Sequence, residues 1–184
     1  AGPVHLLLAA DTGNNSRRRK SGTVYIIPEP ALTPGARTVR GSVAPRSVVA
    51  FSFPDGPRDC ESVAVDPAEQ QIMLVSKTDA DPAVYAMPLP KPGKTTCRAI
   101  RKIATLKMVF PTAMDISPDG RRAVILTYFR ACLFTRPEGR TWGEAFSRTP
   151  RILTMPARKQ GESICYGPDG KTLYLTSEKT PTPL

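Results

Sequence analysis

The chain has one histidine and one tryptophan among 184 residues. It has no run near the ~18 apolar residues that a membrane-spanning helix needs. His5 stands in an apolar stretch, VHLLLAA at 4–10, and reads there as a structural imidazole. A serine or cysteine triad needs a histidine beside its nucleophile, so that class of hydrolase is set aside. No CxxC pair occurs, which excludes a zinc ribbon and a thioredoxin-type motif. HExxH, GxGxxG and an EF-hand loop are also missing. Two near-matches fail on their own residues. GKT at 93–95 has Pro88 where a P-loop needs its first glycine, and GESIC at 161–165 ends in cysteine where a nucleophile elbow needs glycine.

What the chain has in excess is proline and positive charge. Twenty prolines and 13 glycines argue against a helix bundle and for many short strands joined by turns. There are 26 basic against 16 acidic residues, a net charge of +10. The densest basic run is RRRK at 17–20. It can be read as an anion site or as a solvated loop tip between two strands. No aromatic residue interleaves with it, so the loop tip is the simpler reading and nucleic acid is not an expected partner. The four cysteines, Cys60, Cys97, Cys132 and Cys165, permit two disulfides in an exported protein or four thiols acting as small hydrophobes. Residues 4–10 resemble a signal-peptide core but lack its basic flank; they read as a buried strand, and any export signal would lie upstream of Ala1.

An internal repeat organises the rest. ESVAVDP at 61–67 precedes IMLVSK at 72–77; TAMDISPDG at 112–120 precedes AVILTY at 123–128; ESICYGPDG at 162–170 precedes LYLTSE at 173–178. The marker prolines Pro67, Pro118 and Pro168 are 51 and 50 residues apart. A period of ~40–50 residues carrying several strands is a propeller signature. Pro-Asp-Gly presets a turn, because proline fixes φ, aspartate bonds nearby backbone and glycine takes positive φ. The flanking runs are almost continuously apolar, as expected of strands buried on both faces. Further strands at Ala83–Met87, Ala99–Leu106, Ala131–Thr135 and Arg151–Met155 make four antiparallel strands per unit. The N-terminal part reads as a degenerate copy without its innermost strand, with strands at Val4–Ala10, Thr23–Ile27 and Ser47–Phe53. The expected fold is therefore all-β, an antiparallel β-propeller arc of three to four four-stranded blades. The blades fall near 1–56 (partial), 57–108, 109–158 and 159–184 (partial). The thirteen strands are too few for a closed ring, since six blades at this period need about 300 residues. The chain is expected to be an arc of a larger propeller, with open blade edges able to associate.

SPDG at 117–120 resembles the Pro-Asp-Gly repeat of TolB-type and related bacterial propellers. DTGNN at 11–15, VYIIPEP at 24–30, FPDGPRDCE at 53–61 and QGE at 160–162 together resemble exported bacterial propellers grouped with phytase-like or esterase-like proteins. That resemblance implies a secreted or periplasmic protein and, for the enzymes of the group, calcium with phosphate or ester chemistry.

Propeller geometry narrows the search for a site. The start of each innermost strand and the end of the second lie on one face, at the channel mouth, opposite the Pro-Asp-Gly turns. This places Glu61 with Lys77, Thr112 with Tyr128, and Glu162 with Glu178, with Asp11 and Asp59 beside them. Asp11, Asp59, Glu61, Lys77, Tyr128, Glu162 and Glu178 are the candidate ligand-binding residues. Five of them are carboxylates, which suit an oxygen-rich cation site, with Asp11, Glu61 and Glu162 as candidate calcium ligands, or a general acid or base. The same groups also serve as strand-end carboxylates that bond loop backbone or pair with cations. Trp142 falls in a long loop and is expected to pack over the blade rim. The leading expectation is a face that binds a protein or a small anionic ligand without catalysis. The alternative is part of a calcium-dependent hydrolase of phosphate or carboxylic esters.

Overall fold

Successive residues of a strand point to opposite faces of its sheet, so a strand between two packed sheets must be apolar on both. The computed structural model, which describes residues 5–178 apart from 32, 33, 36, 39, 92, 94 and 158, shows this arithmetic directly. Four sheets stack face to face. The first contains β1 (Leu6–Asp11), β2 (Gly22–Pro28) and β3 (Ser47–Ser52). The second contains β4 (Cys60–Asp66), β5 (Gln71–Ser76) and β6 (Ala83–Pro88). A further strand, β7 (Thr95–Ala99), returns to the edge of the first sheet, and β8 (Arg101–Thr105) completes the second. The third is β9 (Pro111–Ile116), β10 (Arg122–Thr127), β11 (Ala131–Thr135) and β12 (Arg151–Leu153), and the fourth is β13 (Gly161–Tyr166) with β14 (Leu173–Ser177).

The residues of β5 divide between two cores. Ile72 and Leu74 join Val24, Val49 and Phe51 of the first sheet. Met73 and Val75 join Met114, Ile116 and Ile125 of the third. β10 repeats the division one blade on: Ala123 and Ile125 face the second sheet, whereas Val124 and Leu126 pack with Ile164 of the fourth. The innermost strands β4, β9 and β13 run side by side. This is a β-propeller arc; among the described residues its first sheet lacks an inner strand and its last has two strands.

Several sequence expectations change. Residues 99–106 do not form a single fourth strand. The chain turns at the buried Ile100, and β7 pairs in parallel with β3 before β8 pairs antiparallel with β6. All other strand pairs are antiparallel, as expected. The segment expected as a buried strand at 4–10 is β1, and it is largely exposed because it is the edge of its sheet. His5 is exposed just ahead of it. Cys60, Cys132 and Cys165 are free thiols; the Cys97 side chain lies outside the described set.

Trp142 begins a short helix, α1 (Trp142–Phe146), closed by a capping box in which the Thr141 hydroxyl accepts from Glu144 N and the Glu144 carboxylate accepts from Thr141 N. The indole is buried and stacks on Phe146, whose ring meets Phe134 edge-on, so it packs at the outer part of the second and third blades. Its Nε1–H donates to Asp66 Oδ2 at 2.6 Å. Asp66, wholly buried at the end of β4, also accepts from Ala68 N at 2.9 Å. Arg136 lies over the indole at 4.9 Å and donates to Gly120 O at 2.8 Å. Gly120 needs its missing side chain twice. Its φ is +66°, and a Cβ there would come within 2.7 Å of Ala68 Cβ in the neighbouring blade.

Candidate functional site

Each complete inner strand begins with the same irregularity. In the pairing of β4 with β5, Cys60 faces Ser76 and Ser62 faces Val75, leaving Glu61 as the extra residue. In β9 with β10, Pro111 faces Thr127 and Ala113 faces Leu126, leaving Thr112. In β13 with β14, Gly161 faces Ser177 and Ser163 faces Thr176, leaving Glu162. A bulge of this kind re-aims the side chain it carries. The three bulged residues occupy one repeat position, at the mouth face that the sequence singles out.

The bulges place different chemistry at that position. Glu61 Oε2 accepts from Lys77 Nζ at 2.7 Å. Lys77 Nζ also lies 4.9 Å from the centre of the Tyr128 ring, so one ammonium links the second blade to the third. Burial alone would depress the Lys77 pKa, but the hydrogen bonds to Glu61 and Tyr128 outweigh it and hold the ammonium well above its usual range. Thr112 donates instead to Gly161 O at 2.8 Å and pins the start of the fourth blade. Glu162 accepts from Gln160 Nε2 at 2.8 Å. Glu178 is exposed, and its N–H donates to Gln160 O at 3.1 Å.

The first blade contributes a loop. Asp11, at the end of β1, receives Arg19 Nη1 on both oxygens at 2.8 Å, and Arg19 Nη2 donates to Gly13 O at 2.6 Å. The Asn14 side chain accepts from Arg19 N and donates to Arg19 O and Arg58 O. Asn14 N donates to Asp59 Oδ1 at 2.6 Å, and the Thr12 hydroxyl donates to Cys60 O at 2.7 Å. The 11–21 loop is thereby fastened across to the start of the second blade. Asp55 supports the other side of that junction. It accepts from Tyr85 Oη at 2.8 Å and pairs with Arg58 at 3.0 Å. Burial pushes the Asp55 carboxyl up, but these two donors outweigh it and hold it below the usual carboxylate range.

Between that loop and the Lys77–Asp79 turn lies a cleft of about 290 Å³, lined by Asn15, Arg17, Asp59, Lys77, Thr78, Asp79 and Phe110. Phe110 stacks on Tyr128 with ring centres 5.7 Å apart, and Tyr128 meets Phe129 edge-on at 6.4 Å. Phe129 is 75% exposed. The mouth therefore carries an aromatic ledge beside a polar cleft. It is also where unusual backbone collects. Arg17, Asp81, Phe110 and Gln160 have φ values of +53°, +48°, +49° and +34°, four of the five non-glycine residues with positive φ among the described residues. Such conformations cost of order 1 kcal/mol or more each and persist where surrounding structure enforces them.

Among the expected site residues, Asp59 and Lys77 share the cleft, and Glu61 and Tyr128 join them through Lys77. Asp11, Glu162 and Glu178 do not converge with these. Among the described residues no group of three or more His, Cys, Asp or Glu side chains is placed to hold a metal ion. Asp11, Glu61 and Glu162 are instead bound separately by Arg19, Lys77 and Gln160, so they do not fit the six to eight shared oxygens of a calcium site. Sequence reasoning missed Thr78, Asp79, Phe110 and Phe129, and took Arg17, within RRRK, more simply as part of a loop tip than as an anion site. Two consecutive aromatics, Tyr128 and Phe129, directly after a strand were a legible signal for the ledge. Nothing local marks Phe110.

No family model and no curated protein sequence matches this chain. Solved structures do match in fold. A nidogen/laminin complex structure aligns with a TM-score of 0.56 at 13% identity, over 95% of this chain and 53% of that one. The periplasmic gluconolactonase of Pseudomonas aeruginosa aligns with a TM-score of 0.51 at 12% identity, over 94% of this chain and 48% of that one. TolB from Acinetobacter baumannii gives a TM-score of 0.46 at 12% identity, over 90% and 37% of the two chains. The chain thus spans about half the length of the first two of these structures, and its likeness to those two is one of fold, that of a β-propeller.

Proposed function

We propose that this chain belongs to an exported propeller whose mouth face binds a ligand or a protein, with the cleft and the aromatic ledge as its contact surface. The observation that carries this reading is the ledge. At the mouth Phe110 stacks on Tyr128 and Tyr128 meets Phe129 edge to face, braced by Lys77, with Phe129 left open to solvent. Rigid aromatic groups of this kind supply contact area at small entropic cost and dominate many recognition surfaces. The expected acids support binding over hydrolysis. Asp11, Glu61 and Glu162 already have internal donors, and a general acid or base must reach a substrate proton. The fold itself is neutral between the two, since structures with this architecture include a lactonase and a component of a protein complex. Export is part of the proposal and is supported by the sequence resemblance to exported bacterial propellers.

The test is a thermal-shift screen of the full chain against metabolites and peptides, run beside assays for ester and phosphoester hydrolysis. A ligand that raises the melting temperature of the wild type and not of Phe129→Ala or Tyr128→Ala is the expected result. Turnover that falls on Glu61→Gln, with no stabilising ligand that depends on the ledge, would overturn the reading in favour of a hydrolase.

A further inference from the structure

The charges around the mouth cleft are not equivalent. The Lys77 ammonium is committed to Glu61 at 2.7 Å and to Tyr128. Arg19 is committed to Asp11 and Gly13. Arg17 is among the residues that line the cleft, its guanidinium has no acceptor among the described residues, and its backbone is held at φ +53°. The bonds of Asn14 and Arg19 anchor the loop on either side of it. Arg17 is thus presented by a fixed loop and not by a free tip.

The cleft also holds two carboxylates. Asp59 is only 6% exposed, and its Oδ1 accepts from Asn14 N while its Oδ2 has no donor among the described residues. Asp79 Oδ1 accepts weakly from the Thr78 hydroxyl at 3.2 Å. A bare anion would suit Arg17 but would lie within the same small space as both carboxylates. A bare amine would suit the carboxylates but meet Arg17 and Lys77. A group carrying both charges satisfies all of them. The volume, about 290 Å³, lies near the small end of ligand sites, about 300 Å³ and upward. Phe110 forms an apolar wall.

From this juxtaposition we propose that the cleft binds a small aminocarboxylate, a free amino acid, with its carboxylate on Arg17 and its ammonium on Asp59 and Asp79. The assignment rests on the mouth-face binding reading and names its ligand class. Guanidinium and carboxylate pair through two parallel hydrogen bonds, which gives Arg17 an orienting role that a lysine would not fill.

The test is NMR titration of the ¹⁵N-labelled full chain with L-serine and L-leucine. Propionate, glycinamide, inorganic phosphate and the dipeptide seryl-serine serve as the comparison probes. Saturable shifts of the Asn15–Arg17 and Lys77–Asp79 amides with an amino acid are expected, with propionate and glycinamide at least tenfold weaker. Arg17→Gln and Asp79→Asn should each weaken amino-acid binding about tenfold, and Arg18→Gln should not. Asp59→Asn should do the same where its fold is retained; the exposed Arg17 and Asp79 positions keep the test independent of that. Equal binding of propionate or phosphate would make the cleft a simple anion site and overturn the assignment. Equal binding of glycinamide would make it a cation site, equal binding of the dipeptide would make the ligand a peptide end, and no saturable shift with any probe would leave no such site. The last result, combined with a different compound that acts through Phe129, would sink this ligand class while leaving the binding face standing.

Discussion

Trp142→Phe is the substitution that most directly questions how the blades are locked. It removes one donor, the indole N–H that reaches the buried Asp66 carboxylate at 2.6 Å from 76 positions away in the chain. It keeps an aromatic ring beside Phe146 and under Arg136. Asp66 retains Ala68 N at 2.9 Å, Glu69 N at 3.3 Å and Gln71 Nε2 at 3.4 Å, with Arg136 at 3.8 Å. One strong hydrogen bond to a charged group is therefore lost, worth about 1.5–3 kcal/mol. The smaller ring adds about 1 kcal/mol for lost packing. A total near 3 kcal/mol corresponds to a drop of roughly 6–12 °C in melting temperature for a domain of this size. Far-UV circular dichroism is the suitable probe, since Trp142 is the sole tryptophan and its fluorescence disappears with it. A double-mutant cycle with Asp66→Asn should give a coupling above about 1 kcal/mol. A loss under about 1 kcal/mol, or additive single mutants, would show that the indole–carboxylate bond does not join these blades. The mouth is tied to this lock, because Lys77 belongs to the second blade and Tyr128 to the third; loosening one end should broaden the resonances of the other.

Two further outcomes follow from single groups. Asp169 accepts from Lys171 N, Thr172 N and the Thr172 hydroxyl, which holds its carboxyl down at about 2 against a usual 3.8. A depressed acid adds stability above its unfolded value and loses it as pH falls through the folded one. The stability gap between wild type and Asp169→Ala should therefore be full at pH 5, shrink between pH 3.8 and about 2, and reach its floor below that, as urea melts across this range would record. For the thiols, burial raises Cys60 to about 12 and also raises Cys132 and Cys165, but of the three only Cys165 is exposed to reagent. Iodoacetamide at pH 8 with mass-spectrometric readout should label Cys165 in the native chain and leave Cys60 intact until unfolding; early labelling of Cys60 would contradict its burial.

The blade pattern was legible because it is a local matter. Turn tripeptides such as Pro118-Asp119-Gly120, and runs like Ile72–Ser76 with apolar residues on both faces, state strand, turn and double burial within a dozen residues. The departures come from longer range. Whether residues 95–99 join the second sheet or cross to the first depends on an edge of β3 formed some 45 positions earlier, and no local residue announces it. The exposure of β1 likewise follows from what packs beside it and not from LLLAA itself. The α1 helix was expected as a loop: a single turn is too short to show an apolar period, and the one signal it left is Thr141 and Glu144 standing three apart as a capping box requires. At the mouth, the structure brings Glu61, Lys77 and Tyr128 together. Propeller geometry could not say that Glu61 and Lys77 would neutralise each other, because that depends on side-chain reach.

The repeated bulge explains how one backbone can carry a site at all. Glu61, Thr112 and Glu162 share a position whose main chain is fixed three times over by strand pairing, while none of them belongs to the apolar clusters between sheets. The side chain there is free of the double-burial rule that constrains its neighbours along the strand. The first bulge spends that freedom on an ion pair with Lys77, the second on pinning the next blade through Gly161 O, and the third on Gln160. Stability resides in the alternating residues of β5 and β10, and chemistry in the bulges and the loops above them. A propeller of this kind can therefore change its ligand by exchanging mouth residues such as Arg17, Asp79 or Phe129 without disturbing the packed cores. On the proposed reading, the mouth and not the repeat motif decides specificity.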